Sequence, residues 1–277
     1  MARLFARRVV RVALFLLSIV LACYLGICAI VWRNYRSALF PAPPERAEVT
    51  LAGATMRVLR ADDGVTVHAL HLPAPAGART VVYFHGNSDT IGQSRPLATD
   101  LRTRGLGVML VEYRGYGVSR GAKPTEEGLY LDAKAALDAL AADGLGPDRI
   151  VLWGTSLGTG VATEMAKQGR GARLVLVSPY TSIPELGARY VPWVPASIIV
   201  RDRFDNLGKA PEIHLPTLIV HGDRDEVVPF DMGCQLRGAF PDSRLHIVRD
   251  GHHNDLFQLE PTSLMDIIAA FAGARGG

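Results

Sequence analysis

The sequence predicts an α/β protein: a mostly parallel β-sheet flanked by helices, preceded by one helix long enough to cross a membrane. Three observations support this prediction. An uncharged apolar run lies near the N-terminus, short apolar runs rich in β-branched residues recur along the remaining chain, and helical patterns follow most of those runs. Alternation of strand and helix at this spacing is typical of a parallel sheet with helices on both faces.

The N-terminal apolar run is VALFLLSIVLACYLGICAIVW, residues 12–32, and it contains no charged residue. As a helix it would extend about 31 Å, close to the thickness of the hydrocarbon core of a bilayer. A buried core helix of this length normally has a polar stripe, and this run has almost none. We therefore expect a transmembrane anchor at 12–32, between a basic tail at 1–11 and a linker at 33–46.

The charges around the run predict its orientation. Residues 1–36 contain six arginines and no acidic residue, whereas the whole chain has a net charge of +3. The remainder is thus slightly acidic and lacks the basic surface typical of nucleic-acid binding. Four of the six arginines precede the run, which predicts a cytoplasmic N-terminus and a body on the other side, in a periplasm or its equivalent.

Processing at Cys23 is an alternative to a retained anchor. The letters VLAC before Tyr24 resemble the cleavage box of a bacterial lipoprotein, but the apolar run continues well past Cys23. The other cysteines are Cys28, also in the run, and Cys234, which is alone in the body. No disulfide framework is predicted.

The body, residues 47–277, opens with a predicted antiparallel hairpin, MRVLRADDGVTVHALHLP, that turns at 62–64. Six later runs read as strands buried on both faces: 80–86, 107–113, 149–154, 173–178, 217–222 and 244–248. Five helical patterns accompany them: 92–104, 125–142, 158–169, 230–239 and 261–272. A stretch at about 179–216, rich in proline and aromatic residues, breaks the alternation, and we interpret it as a small cap over the C-terminal edge of the sheet.

A serine follows the strand at 149–154, at the edge of a parallel sheet where ligands bind. Ser156 lies in GTSLG, directly before a helix. Gly154 and Gly158 would provide space for a tight turn that exposes the hydroxyl at the positive end of the helix dipole. The pentapeptide alone is a modest signal for a nucleophile, and its position between strand and helix strengthens that signal considerably.

A serine hydroxyl needs a base at neutral pH. The letters DGHHNDL follow the last strand and offer two histidines, of which we favour His253 and keep His252 as the alternative. The base in turn needs an orienting carboxylate, and HGDRDEVVP offers three. We favour Asp225 over its neighbours Asp223 and Glu226. The order Ser, Asp, His along the chain is that of α/β-hydrolases.

The letters FHGNSD, after the first buried strand, supply the second half of a pocket for a developing negative charge. Gly86 allows close approach of the backbone, and the backbone N–H groups of Asn87 and Leu157 would donate to the oxyanion. A plain turn between strand and helix is the alternative for this stretch. A metal site formed by His252, His253 and Asp255 is a weaker interpretation, because a third well-spaced ligand is lacking.

Five motifs together resemble one family: YFHGN, VEYRGYGVSRGAKPTEEGLYLD, GTSLG, HGDRDEVVP and GHHND, within about 80–257. The chain is similar to the membrane-anchored α/β-hydrolase-domain proteins, single-span serine hydrolases that include depalmitoylating thioesterases and bacterial serine-aminopeptidase-like relatives. The resemblance implies an α/β-hydrolase fold. It also implies Ser156 as nucleophile, Asp225 as acid and His253 as base, with an oxyanion hole at Asn87 and Leu157.

The motif YRGYG is a hallmark of the family, so Tyr116 is a candidate substrate contact, with a structural turn as the alternative. Tyr180, in the cap, is a second candidate. The cap letters SPYTSIPELGARYVPWVP differ from better-known members, and the resemblance therefore leaves the acyl pocket undefined.

The expected function is hydrolysis of acyl esters or thioesters of lipid-like substrates, with the bilayer as a partner and with no metal or organic cofactor. One alternative is a peptidase that removes an N-terminal residue and holds its ammonium group with an acid of the cap: Glu185, Asp202 or Asp205. Another is a non-catalytic binding module tethered to the membrane on the same fold.

Overall fold

The N-terminal segment is one long helix. The computed structural model of the protein describes residues 2–44 and 49–273, and helix α1 extends over Ala2–Leu39. Helix α1 contains the whole run 12–32 and also residues 33–39, which the sequence assigns to the linker. The letters RNYRSAL contain no proline or glycine, so the helix continues until shortly before Pro41, whose ring disfavours helical backbone.

Among the described residues, α1 is the one helix that is long and apolar enough to cross a membrane. None of its most apolar window is buried against the body. Met1 of the predicted basic tail lies outside the described residues, as does the predicted boundary between linker and body at 46/47.

Within the described residues, eight strands form one sheet. Their bounds are β1 Thr55–Arg60, β2 Thr66–Leu72, β3 Thr80–Phe84, β4 Gly107–Glu112, β5 Ile150–Thr155, β6 Arg173–Val177, β7 Thr217–Gly222 and β8 Ser243–Val248. The order across the sheet is β1-β2-β4-β3-β5-β6-β7-β8. Strand β2 is antiparallel to β1 and β4, and the other pairs are parallel, so the predicted hairpin and mostly parallel sheet are confirmed.

Helices cover both faces of the sheet. The bounds after α1 are α2 Arg95–Thr103, α3 Glu126–Ala142, α4 Gly158–Lys167, α5 Ile183–Tyr190, α6 Ala196–Ile199, α7 Asn206–Lys209, α8 Phe230–Ala239, α9 Leu256–Leu259 and α10 Ser263–Gly273. Helices α3, α4 and α8 enclose one apolar core, and α2 and α10 enclose the other. Successive residues of a strand join opposite cores, as Val81 and Val82 do, because side chains alternate across a sheet.

A side-chain cap begins α3, and turns precede α2. Thr125 caps α3, since its side chain accepts a hydrogen bond from the backbone N–H of Gly128. Helix α2 begins at Arg95, three residues after the predicted start, because the preceding residues 91–94 form turns. The stretch predicted as a cap contains the short helices α5, α6 and α7, which follow β6 at the C-terminal edge of the sheet.

Candidate active site

Ser156 lies in a strained turn between β5 and α4. Its φ is 51°, in the left-handed region that side chains other than glycine rarely adopt. Strain of this kind persists only where the surrounding structure holds it, and it is concentrated at functional sites. The turn lifts the hydroxyl out of the sheet at the N-terminus of α4, where the helix dipole favours negative charge.

The two glycines that flank Ser156 are sterically required. A Cβ atom on Gly158 would overlap the carbonyl oxygen of Phe84, and one on Gly154 would overlap the carbonyl group of Gly158. Strand β5 and helix α4 therefore approach each other too closely for any side chain at either position. The prediction that these glycines provide space for the turn is confirmed.

The loops after β7 and β8 bring an imidazole and a carboxylate to Ser156. His253 Nε2 lies 3.0 Å from Ser156 Oγ, and His253 Nδ1 lies 2.8 Å from Asp225 Oδ2. If Nδ1 donates to the carboxylate, Nε2 is free to accept the proton of the serine hydroxyl. The three groups form a continuous hydrogen-bond chain of the kind that activates a serine.

Asp225 is held rigidly by its own loop. Its Oδ1 accepts hydrogen bonds from the backbone N–H groups of Val227 at 2.9 Å and Val228 at 2.7 Å. His221 Nε2 lies 3.4 Å from Oδ2 and donates to the carbonyl oxygen of Val228 at 2.9 Å. Burial raises the pKa of Asp225, but hydrogen bonds from His221, His253 and the backbone outweigh it and hold the pKa well below its ordinary value. The carboxylate therefore stays ionised beside the imidazole.

The alternatives at these two loops have other partners. His252 is exposed, and its Nδ1 lies 2.9 Å from Oε2 of Glu226. Asp223 lies 3.4 Å from the guanidinium of Arg249. Of the two histidines and three acids, the structure thus brings His253 and Asp225 to Ser156. Among the described residues, no three or more His, Cys, Asp or Glu side chains are arranged to hold a metal ion, and this includes His252, His253 and Asp255.

Asn87 and Leu157 line the same cavity as Ser156. Within the described part of the chain, neither backbone N–H group donates a hydrogen bond to a protein acceptor. The two N–H groups are therefore available to a substrate oxygen, as an oxyanion hole requires. A Cβ atom on Gly86 would lie 3.6 Å from the Cβ of Ser156, an ordinary contact distance, so the expected steric requirement for glycine at this position is not met.

A buried acid–base pair supports the loop that carries Asn87. His85 Nε2 lies 3.2 Å from Glu112 Oε1, and neither side chain is accessible to solvent. His85 Nδ1 lies 2.7 Å from the carbonyl oxygen of Gly86. Burial lowers the pKa of His85, but Glu112, the charge of Asp89 and the backbone of Gly86 together outweigh burial, so the pKa lies above its ordinary value. Sequence reasoning missed this pair, although a glutamate ending the apolar run GVMLVE was a usable signal.

The cavity at Ser156 has a volume of about 540 Å³. Its polar wall includes Asn87, Asp89 and Gln93, and its apolar wall includes Ile183 and Leu186 of the cap. Leu39, the last residue of α1, also lines it. The cavity is large enough for an acyl group and its leaving group.

The two tyrosines predicted to contact substrate have different positions. Tyr180 lines the cavity and donates a hydrogen bond from its hydroxyl to the carbonyl oxygen of Leu157 at 3.2 Å. Tyr116 lies outside the cavity, fully buried with its ring centre 5.3 Å from that of His85. The expectation for Tyr116 is therefore corrected: positive φ angles at Gly115 and Gly117 fold this turn back into the core.

The three acids of the cap do not line this cavity. The carboxylate of Asp202 accepts hydrogen bonds from Tyr35 and Arg36 of α1, and that of Asp205 caps α7. Glu185 lies at a separate depression on the cap. The acidic side chain that does line the cavity is Asp89, whose carboxylate accepts from the N–H of Thr90 at 2.8 Å and the hydroxyl of Ser94 at 2.9 Å.

Comparison with known proteins places the fold in context. The family described as serine aminopeptidase, S33, matches residues 76–207. An uncharacterized protein of Mycobacterium tuberculosis is 33% identical over 267 residues, which cover 94% of each chain. A protein of Acanthamoeba polyphaga mimivirus, provisionally described as an alpha/beta hydrolase, is 33% identical over 71% of this chain and 75% of its own.

A solved structure shares the fold at lower identity. The esterase Pf2001 of Pyrococcus furiosus superimposes with a TM-score of 0.68 at 19% identity, over 83% of this chain and 95% of the esterase. The family match includes β5, Ser156 and α4, and the relatives extend over most of the chain. The chain therefore belongs to the α/β-hydrolases, with residues 76–207 similar to the family described as serine aminopeptidase, S33, and the protein is a hydrolase.

Proposed function

We propose that this protein is a membrane-anchored serine hydrolase that cleaves acyl esters or thioesters through a covalent acyl-enzyme. The observation that carries the proposal is the continuous chain from Ser156 Oγ to His253 at 3.0 Å and from His253 to Asp225 at 2.8 Å. The esterase-like fold supports an ester or thioester substrate, and the apolar wall of the cavity supports a lipid-like acyl group.

In the proposed reaction, Ser156 Oγ attacks the acyl carbonyl carbon while His253 Nε2 accepts the hydroxyl proton. The carbonyl oxygen becomes an oxyanion, which the N–H groups of Asn87 and Leu157 stabilise by about 3 kcal/mol each. Collapse of the tetrahedral intermediate breaks the bond to the alcohol or thiol, which takes the proton from His253. Water then attacks the acyl-enzyme with His253 as base, and the free acid leaves Ser156 regenerated.

Asp225 stabilises the imidazolium that forms in each step. Its low pKa keeps it anionic, and its hydrogen bonds to the backbone of Val227 and Val228 fix its position. His253 Nδ1–H is thus kept on the side of the carboxylate, which is the tautomer that both steps need.

Helix α1 would hold the body at a membrane with the N-terminus in the cytoplasm. The cluster of Arg3, Arg7, Arg8 and Arg11 before the span supports this orientation by the positive-inside rule. Anchoring would raise the local concentration of lipid-like substrates at the site.

A fluorophosphonate probe tests the nucleophile on the full-length chain in detergent. The wild type should be labelled, Ser156→Ala should not, and Ser88→Ala, which alters another serine of the same cavity, should be labelled like the wild type. Equal labelling of wild type and Ser156→Ala would refute the assignment. Absence of labelling and of turnover on any short acyl ester would instead favour a non-catalytic binding module.

A peptidase is the second candidate, supported by the family description and by the position of Asp89 in the cavity. In this candidate the carboxylate of Asp89 binds the ammonium group of an aminoacyl substrate. Acyl esters of increasing chain length and aminoacyl anilides should be compared on one preparation. Faster turnover of anilides, lost in Asp89→Asn, would favour the peptidase; faster turnover of esters by both proteins would favour the hydrolase of acyl esters.

A further inference from the structure

Part of the cap combines large exposed apolar side chains with an absence of charge. Residues 190–200, YVPWVPASIIV, contain no charged residue, and we name them the cap segment. Within it, Tyr190, Trp193 and Ile198 are 56%, 53% and 80% exposed. An apolar patch of this kind that is exposed to solvent usually marks an interaction site.

The cap segment lies alongside α1, beside the stretch of α1 that contains no charge. The hydroxyl of Tyr24, in the middle of the run 12–32, donates to the carbonyl oxygen of Trp193 at 3.1 Å. Helix α6, in the same segment, packs against α1. The apolar surface of α1 and the apolar surface of the cap segment are therefore continuous.

Two polar contacts mark where this shared apolar surface ends. The guanidinium of Arg201 lies 5.7 Å from the ring centre of Trp32, the last residue of the apolar run. One residue further along the cap, the buried carboxylate of Asp202 accepts hydrogen bonds from Tyr35 at 2.6 Å and Arg36 at 2.7 Å. Cations and aromatic rings at one level are typical of the interface between a bilayer and water.

The depth of the cap segment follows from helix geometry. Tyr24 precedes Trp32 by eight residues, or about 12 Å along the axis of a helix. If the run 12–32 spans a bilayer with Trp32 at the interface, the backbone of Trp193 lies about this far below it. Apolar faces of interfacial segments reach about 5–10 Å into the boundary between headgroups and acyl chains, so the contact with Tyr24 marks the deep end of the cap segment.

We infer that the cap segment inserts into the same bilayer that α1 spans, as a second membrane contact beside the anchor. This inference rests on the proposed anchoring by α1. Lipid is the occupant because the segment is continuous with a surface that would itself be covered by lipid, and because Arg201 stands at the level of the lipid phosphates. Trp193 and Ile198 are its principal contacts with lipid.

Insertion of the cap segment places the mouth of the active site at the membrane surface. The cavity of Ser156 is lined by Leu39 at the end of α1 and by Ile183 and Leu186 of α5, the helix that leads into the cap segment. An acyl chain that leaves the outer part of the bilayer reaches this cavity between two membrane-bound elements, α1 and the cap. The substrate class of the site is thus an ester or thioester whose acyl chain resides in the bilayer.

Lipid-dependent quenching tests the insertion on the full-length chain, after replacement of Cys23, Cys28 and Cys234 by alanine. Single cysteines introduced as Ile198→Cys and Val58→Cys carry an environment-sensitive fluorophore, and the proteins are reconstituted in phosphatidylcholine–phosphatidylglycerol vesicles. Val58 is a matched control because it is 70% exposed and lies on the edge strand β1. We expect doxyl-labelled lipids to quench the label at 198 at least about threefold more than the label at 58, and aqueous iodide to show the reverse order.

Equal responses of the two labels to doxyl lipids and iodide would overturn the insertion. Shielding of position 198 from both quenchers would also overturn it, since a protein partner rather than lipid would then cover the segment. Fluorophosphonate labelling of the same samples reports Ser156 separately, so failure of the proposed chemistry and failure of the membrane contact are distinguishable.

A ratio of two activities tests substrate access. The double variant Trp193→Ser, Ile198→Ser should lower turnover of a long-chain ester in vesicles about tenfold relative to turnover of a short water-soluble ester. Val58→Ser should leave this ratio at the wild-type value. A wild-type ratio in the double variant would contradict a role of the cap segment in access.

Discussion

At the scale of single residues, the site depends on groups that hold the three reacting side chains in place. Asp225 does not contact substrate in the proposed reaction and acts through His253. We expect Asp225→Asn to lower turnover of a short ester by about 10⁴-fold, because an amide no longer holds Nδ1–H on its side of the ring. Fluorophosphonate labelling should slow in parallel, since it requires the same activated serine.

The adjacent carboxylate provides the control for this variant. Glu226 lies one residue further on, but it pairs with the exposed His252 rather than with His253. Glu226→Gln should therefore retain the wild-type rate, because an exposed pair contributes little. A comparable loss in both variants would show that general charge near the loop, and not the contact with His253, determines the rate.

The close packing around Gly158 allows a second prediction for a single residue. A methyl group there would overlap the carbonyl oxygen of Phe84, so Gly158→Ala must move α4 away from β3 or widen the turn at Ser156. We expect a loss of about 1–3 kcal/mol in the free energy of unfolding, together with loss of probe labelling. Thermal unfolding and labelling rate measure the two effects.

Gly238→Ala is the matched control for this substitution. Gly238 lies in α8, and a Cβ atom there meets no atom within 4 Å. Alanine favours helix over glycine by up to about 1 kcal/mol, so this variant should be as stable as the wild type or slightly more stable. A stability loss at 238 equal to that at 158 would remove the steric explanation.

At the scale of elements, Asp202 joins the cap to α1. The buried carboxylate accepts from Tyr35, from Arg36 and from the backbone N–H of Glu126. Burial raises the pKa of Asp202, but the three hydrogen bonds and the charge of Arg36 together outweigh burial, so the pKa lies below its ordinary value. A lowered pKa means that the folded state favours the ionised carboxylate.

The resulting stabilisation is complete above the ordinary aspartate pKa of about 3.9 and is lost as pH falls through the lower pKa of the folded state. Between about pH 5 and pH 2.5, thermal stability should therefore fall more steeply in the wild type than in Asp202→Asn. Asp100→Asn, at an exposed position of α2, should keep the wild-type slope. Identical slopes in all three proteins would show that this junction contributes nothing to the pH dependence.

At the scale of the whole molecule, one native side chain reports which side of the membrane the body occupies. Cys234 is exposed on α8, whereas Cys23 and Cys28 lie in the predicted span. In sealed right-side-out membrane vesicles, a membrane-impermeant maleimide should label the wild type and not Cys234→Ala. Labelling of Cys234 that appears only after the vesicles are opened would place the body in the cytoplasm.

A separate measurement, the mass of the protein, tests whether the N-terminus is cleaved at Cys23. The mass of the membrane-extracted protein should correspond to a chain that retains residues 1–22. A chain that starts at Cys23 with an added lipid would replace the helical anchor by a lipid anchor.

The fold could be predicted well from sequence because its signals are local. The apolar runs match β3 to β7 closely, since strands buried on both faces must be apolar throughout. The run at 244–248 also forms a strand, but β8 lies at the edge of the sheet and only Val248 in it is buried, so the expectation of burial on both faces is wrong there. Gly154, Ser156 and Gly158 could also be identified, because a tight turn between strand and helix imposes small neighbours. The end of α1 at Leu39 was harder to predict from sequence, because polar residues such as Asn34 and Ser37 are compatible with either a linker or a helix.

The sequence favoured one residue over its neighbour at two loops, but it gave no geometric reason for the choice. His252 and His253 are adjacent, and only the path of their loop turns one toward Ser156 and the other toward Glu226. The buried pair of His85 and Glu112 was missed because its members are 27 residues apart. Tyr116 was misassigned because a loop motif does not reveal whether the loop folds outward or into the core.

The sequence alone therefore determined the order of strands and helices along the chain, the apolar span and the residue types of the site. These are properties of residues close together in the chain, where periodicity, turn chemistry and charge act. The convergence of three loops on Ser156 and the alignment of the cap with α1 required the folded structure. Both depend on contacts between segments far apart in the chain, 97 residues for Ser156 with His253 and 169 residues for Tyr24 with Trp193, whose geometry arises only when the chain packs.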